Sequence, residues 1–114
     1  MAERNEAMPR TMVEVGSIDD IPMLGSRVVE TKTGNIAVFR TRNDEIFALT
    51  DECPHKKGPL SQGIVHGKRV TCPLHNWVIA LDNGEAVAPD VGCARVHDVR
   101  LEGRKIFVDA VARE

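Results

Sequence analysis

At 114 residues, with 42% hydrophobic content and four aromatic residues (Phe39, Phe47, Trp77 and Phe107), the chain suits one domain with a small core. Its net charge of −2, both signs interspersed, gives no electrostatic footprint for nucleic acid or for an anionic membrane surface. No run approaches the roughly 18 apolar residues of a membrane span, and the first ten residues lack the apolar stretch of a secretory signal.

Met1 to Arg10 is polar and reads as a flexible leader. Met12 to Val15 begins a strand. Ser17 to Ile21 suits one helical turn: Ser17 is an acceptable N-cap, Asp19 and Asp20 fit the first turn, and Pro22 ends it. Arg27 to Thr33 alternates valine with charge, as a strand does. Gly34 to Leu49 reads as a hairpin, with Ile36, Val38 and Phe39 on one arm and Ile46, Phe47 and Leu49 on the other. Arg42-Asn43-Asp44 supplies its turn. Gly58-Pro59-Leu60 is turn-like. Ile64-Val65 and Arg69-Val70-Thr71 look like short strands around His66-Gly67-Lys68. A strand follows from Val78 to Leu81, then a turn at Asp82-Asn83-Gly84 and a return from Glu85 to Val87. After irregular Pro89 to Gly92, a final hairpin pairs Val96–Leu101 with Arg104–Val111 across Glu102-Gly103. Short strands, frequent turns and no sustained 3.6-residue period predict an all-β domain.

Two stretches interrupt this pattern with chemistry. Cys53-Pro54-His55 is C-x-H; after a gap of sixteen residues, Cys72-Pro73-Leu74-His75 is C-x-x-H. Each opens with Cys-Pro, which fixes a backbone angle beside the thiol. Two thiolates and two imidazoles suit a tetrahedral zinc, or a [2Fe–2S] cluster with the cysteines on one iron and the histidines on the other. Zinc sites usually pair like ligands locally and set a helix under the histidines. Here each loop offers one of each, and Val78 to Leu81 reads as strand. The spacing therefore favours the two-iron cluster. The second hairpin arm runs straight into Cys53, so a rigid strand delivers the first ligand loop.

These loops resemble those of the Rieske iron–sulfur domain family. The longer words Cys53-Pro-His-Lys-Lys-Gly-Pro-Leu-Ser-Gln-Gly and Val70-Thr-Cys-Pro-Leu-His-Asn-Trp-Val-Ile are similar to the small subunit of the NAD(P)H-dependent nitrite reductases, from about Asp51 to Ala86. The resemblance implies a Rieske-type antiparallel β-sandwich. In it, residues 11–114 form a single domain with a smaller inserted cluster-binding subdomain at about residues 51–80. It implies Cys53, His55, Cys72 and His75 as the ligands of a [2Fe–2S] cluster. It also implies electron transfer within an oxidoreductase that turns nitrite into ammonia, with no catalytic residue on this chain. The alternatives are a free low-potential ferredoxin feeding an oxygenase, or a structural or regulatory subunit.

No glycine-rich nucleotide loop is evident, since Gly58, Gly63 and Gly67 lack the strand-to-helix context. The resemblance then implies that NAD(P)H, FAD and sirohaem sit on a large partner subunit. High-potential Rieske proteins carry an extra cysteine in each ligand loop and hydroxyl side chains after the second histidine. Here Gly58 and Leu74 stand near the first positions, Trp77 and Ile79 at the second, which implies the low-potential branch. Most Rieske ferredoxins place glycine after the second histidine, where this chain has Asn76.

With two cysteines assigned to the metal, Cys93 is left over. No intramolecular disulfide is expected, in agreement with a reducing cytoplasm. Cys93 itself reads as a small buried or half-buried filler. His66 is expected in solvent on its hairpin turn and His97 in a structural role. Lys56 and Lys57 read as a solvated tip or as a steering patch for an acidic partner. Trp77 reads as a packing lid beside the second ligand loop.

Overall fold

The computed structural model describes residues 11–32, 34–54, 58–73 and 76–112. Ten antiparallel strands and two short 3₁₀ turns, at Ile18–Asp20 and Leu60–Gln62, make up the regular structure of these residues. The strands are β1 (Met12–Ser17), β2 (Ser26–Thr31), β3 (Gly34–Arg40), β4 (Ile46–Thr50), β5 (Ile64–His66), β6 (Arg69–Thr71), β7 (Val78–Ala80), β8 (Val96–His97), β9 (Val99–Glu102) and β10 (Lys105–Asp109). They form three sheets, ordered β1-β10-β9, β2-β3-β4-β8 and β5-β6-β7. The expected all-β, antiparallel architecture is what the described residues adopt.

The four-stranded sheet lies at the centre because β3 is apolar on both faces. Ile36, Ala37, Val38 and Phe39 are all essentially inaccessible to water. Since side chains alternate along a strand, they divide between two cores. Ile36 and Val38, with Ile46 and Ala48 of β4, pack against Val15, Ile106 and Val108 of the first sheet. Ala37, Phe39 and Leu49 face the other way, onto Val65, Val70 and Ile79 of the third sheet. Burying a side chain such as Phe39 stabilises the fold by about 1.5–3 kcal/mol. Both cysteines of the paired loops, Cys53 and Cys72, lie in this second core.

The expected helical turn is a 3₁₀ turn capped as its sequence directs. The Asp19 amide donates to Ser17 Oγ (3.2 Å), and the Ser17 amide donates to Asp20 Oδ2 (2.9 Å). The β3–β4 turn falls on the expected residues, with Asp44 in the left-handed region (φ 63°) and its carboxylate 2.9 Å from Arg40 Nε.

Two expectations are corrected. The strand foreseen at Val96–Leu101 is two strands. Residues 96–97 pair with β4, residues 99–102 pair with β10, and the chain changes sheet at Asp98. The Asp98 carbonyl accepts from the Asp109 amide at 2.9 Å, so the crossing point stays hydrogen-bonded. Cys93, foreseen as a buried or half-buried filler, is exposed. It pairs with Glu85 in an isolated bridge, and alternation from that register turns the next residue, Ala94, into the core instead. The return at 85–87 is represented by two such bridges, Glu85↔Cys93 and Ile79↔Ala86. The leader, residues 1–10, lies outside the described residues.

Candidate metal centre

β4 ends at Thr50 and hands the chain to Cys53 in three residues. β6 ends at Thr71, immediately before Cys72. Both thiols are buried, Cys53 at 1% and Cys72 at 0% exposure. The two loops close in the same way. The Cys53 amide donates to the Gly58 carbonyl, and the Cys72 amide donates to the Trp77 carbonyl, both at 2.7 Å and both reaching five residues ahead. The repeated Cys-Pro wording is thus matched by a repeated backbone ring, which holds each thiol at the mouth of a short loop. His55 and His75 lie within those rings but outside the described residues, as do Lys56 and Lys57. None of the three cysteines forms a disulfide.

Asn76 closes the second loop in the left-handed region (φ 58°). Glycine enters that region at no steric cost, and asparagine is among the few other residues that visit it readily. The substitution of asparagine for the usual glycine is therefore conformationally conservative. Trp77 follows, half-buried against the core that contains both cysteines. A third segment, after the turn at Asp82-Asn83-Gly84, folds back across the two loops. Its Gly92 lies so close that an added methyl would sit 3.1 Å from Pro54 Cβ and 3.3 Å from the Trp77 ring. Trp77 is the packing lid foreseen from the sequence; the glycine that meets it carries no signal in the sequence beyond its residue type.

The remaining candidates are structural. His97 is buried between β4 and β10, with Nδ1 2.7 Å from the Asp109 carbonyl and Nε2 2.9 Å from Thr50 Oγ1. The carbonyl can only accept, so Nδ1 carries a proton. His66 is exposed, as expected, with Nε2 2.7 Å from Thr71 Oγ1. On the far side of the molecule, hydrogen bonding to the Arg104 guanidinium holds the Asp19 carboxyl below its ordinary value; partial desolvation opposes this.

Sequence reasoning passed over one contact at this centre. Both oxygens of the half-buried Asp51 carboxylate are taken by Ser61, from its amide and from its hydroxyl, each at 2.7 Å. A pairing across ten residues of irregular chain has no period to betray it.

A family model described as the Rieske [2Fe-2S] domain matches residues 11–106. The anthranilate 1,2-dioxygenase ferredoxin subunit of Burkholderia cepacia is 39% identical over 75 residues, 65% of this chain and 68% of that protein. The 4beta-methylsterol monooxygenase of Methylococcus capsulatus is 46% identical over 43 residues, 38% of this chain; the chain spans only 12% of that protein's length. Among solved structures, the ferredoxin of carbazole 1,9a-dioxygenase from Nocardioides aromaticivorans superposes with a TM-score of 0.78 at 26% identity, covering 86% of this chain and 96% of that one. A Mycobacterium tuberculosis structure assigned as an NADH-dependent nitrite reductase small subunit superposes with a TM-score of 0.77 at 22% identity, covering 90% and 95%. The last of these is a likeness of fold alone.

Proposed function

Because this chain belongs to the Rieske [2Fe–2S] domain family, a family of oxidoreductase electron-transfer components, we propose that it is the electron-transfer small subunit of an NAD(P)H-dependent nitrite reductase. In this reading Cys53, His55, Cys72 and His75 hold the cluster, within a unit of about residues 51–80. The donor set fits that group. Two buried thiols stand at equivalent positions of two identically closed rings, and each ring carries one histidine in its sequence. When bound, the cluster supplies a one-electron carrier, less anionic than an all-thiolate site because two ligands are neutral imidazoles.

The rest of the work falls to the protein. β4 and β6 fix where each thiol sits. The surrounding apolar core excludes water from both thiols. Trp77 and the segment through Gly92 brace the two loops against each other. Hydride and nitrite chemistry would belong to a large partner carrying NAD(P)H, FAD and sirohaem sites.

The observation that carries this reading is the second loop, Val70-Thr-Cys-Pro-Leu-His-Asn-Trp-Val-Ile, whose wording resembles the nitrite reductase small subunits. Its Asn76-Trp77 step departs from the glycine usual in ferredoxins and still keeps the left-handed backbone. A second reading, a free ferredoxin delivering electrons to an oxygenase, is favoured by the 39% identity to the Burkholderia cepacia ferredoxin subunit.

The test is anaerobic reconstitution with a large flavin and sirohaem subunit, NAD(P)H and nitrite. Ammonium formation that rises with added chain, and fails with Cys72→Ser, is the expected result. Ammonium formation indifferent to the chain sinks the proposal. Electron delivery from a ferredoxin reductase to an oxygenase in parallel assays selects the second reading.

A further inference from the structure

Asp51 and Ser61 bracket the first ligand loop: Asp51 precedes Cys53 by two residues, and Ser61 follows buried Leu60. The Ser61 amide donates to Asp51 Oδ1 and the Ser61 hydroxyl to Asp51 Oδ2, both at 2.7 Å. Each end of this bridge is tied in turn to the central sheet. The Asp51 amide donates to the Asn35 carbonyl at the start of β3 (2.9 Å), and Ser26 Oγ of β2 donates to the Ser61 carbonyl (2.8 Å).

A local reason for the bridge lies in the 3₁₀ turn at Leu60–Gln62. Its N-cap is Pro59, whose side chain makes no capping hydrogen bond. The Ser61 amide at the start of that turn needs an acceptor, and Asp51 provides one from across the loop. Capping alone does not call for a carboxylate, because the oxygen of an asparagine would serve. Only a carboxylate accepts with both oxygens at once. Charge balance does not explain it either: a negative group two residues from a thiolate ligand is electrostatically unfavourable. What the carboxylate adds is two charge-assisted hydrogen bonds to a single residue, each roughly twice as strong as a neutral one. They close the neck of the loop at residues 52–60.

We propose that Asp51 and Ser61 form a latch that holds the first ligand loop closed, with Asp51 the positioning residue. The latch is a property of the polypeptide; its action on the cluster rests on the ligand reading above. Positioned this way, Cys53 resists the opening through which a metal would leave. The same carboxylate adds a negative charge close to the cluster and holds down its potential.

The test uses wild type, Asp51→Asn, Ser61→Ala, Ser61→Thr and the double variant Asp51→Asn with Ser61→Ala. In the apoprotein, Asp51→Asn keeps one acceptor for the Ser61 amide but removes its charge, and should speed hydrogen exchange there by about tenfold, the difference between a charge-assisted and a neutral hydrogen bond, while the amides of β10 keep their protection. In reconstituted protein, Asp51→Asn and Ser61→Ala should each speed cluster loss to a chelator by about tenfold. The double variant should lose it no faster than the faster single, because one bridge is being broken twice. Ser61→Thr, which keeps the hydroxyl, should restore the wild-type rate. Asp51→Asn should move the midpoint potential to more positive values, an effect that a purely structural role would not produce. Single variants that lose their cluster within twofold of the wild-type rate, or a double variant whose effects multiply, overturn the latch. Wild-type protein that takes up no iron and sulfide overturns the ligand reading instead, and the apoprotein exchange then still decides whether the latch exists.

Discussion

Gly63 is where the two ligand loops are brought together, and adding one methyl there should push them apart. It ends the 3₁₀ turn after the first loop and leads into β5, with an ordinary backbone angle (φ −82°) that alanine would share. The obstacle is space. An added Cβ would lie 2.9 Å from Val70 Cγ2, 3.1 Å from the Leu60 carbonyl oxygen, and closer still to the carbonyl oxygen of Thr71, the residue before Cys72. Backbone on two sides cannot swing away as a side-chain tip can, so β5 must shift from β6 against its Ile64↔Thr71 register. Overpacking of this kind costs about 1–3 kcal/mol. At 4–8 °C per kcal/mol for a domain of this size, Gly63→Ala should lower Tm by roughly 5–20 °C. The Cys72 amide, hydrogen-bonded to Trp77, should exchange faster. Gly67→Ala is the control: its left-handed glycine (φ 58°) has open space around it, so the variant should cost about 1–2 kcal/mol of backbone strain and leave the Cys72 amide protected. A Gly63→Ala protein that melts within about 1 °C of wild type, with Cys72 equally protected, would refute the steric argument.

Four further outcomes are expected. Protein purified anaerobically should hold two irons and two sulfides; Cys53→Ser or Cys72→Ser should lose them, whereas Cys93→Ala, at an exposed site, should keep them, and stoichiometric zinc without iron after reconstitution would overturn the assignment. The midpoint potential should lie near the low end of the Rieske range, about −150 mV, because Trp77 and the fully buried Ile79 stand where hydroxyl donors would be, and film voltammetry giving a value above about +100 mV would contradict this. His97→Ala should destabilise the fold by about 2–3 kcal/mol in denaturant titration, since it leaves the Thr50 hydroxyl and the Asp109 carbonyl without their shared partner; an unchanged midpoint of unfolding would show the contact to be idle. Asp19 should titrate below its ordinary value, so its stabilising contribution is complete above the ordinary aspartate range and is lost as pH falls through the lowered value; Arg104→Ala should move the Asp19 titration, followed by NMR, upward toward the ordinary range.

The sequence alone determined what depends on neighbours along the chain. Alternation and turn residues gave the hairpin from Gly34 to Leu49, and Ser17, Asp19, Asp20 and Pro22 marked a capped turn that exists at Ile18–Asp20. Cys-Pro written twice, each with a nearby histidine, marked the candidate centre, because a ligand loop needs its donors within a few residues of each other. The tertiary structure decided what depends on segments far apart. The buried run Ile36 to Phe39 says only that β3 is covered on both faces; that one cover is the β1-β10-β9 sheet and the other carries the cysteines is a matter of sheet order. The break at Asp98 arises because β4 and β10 compete for one continuous stretch, a contest between partners that the stretch itself does not encode. Cys93 looked like a core residue by type, and strand register put Ala94 inside in its place. Asp51 and Ser61 meet because buried Leu60 draws the far side of the loop into the core beside Cys53, and only that folded path sets a carboxylate opposite an uncapped amide.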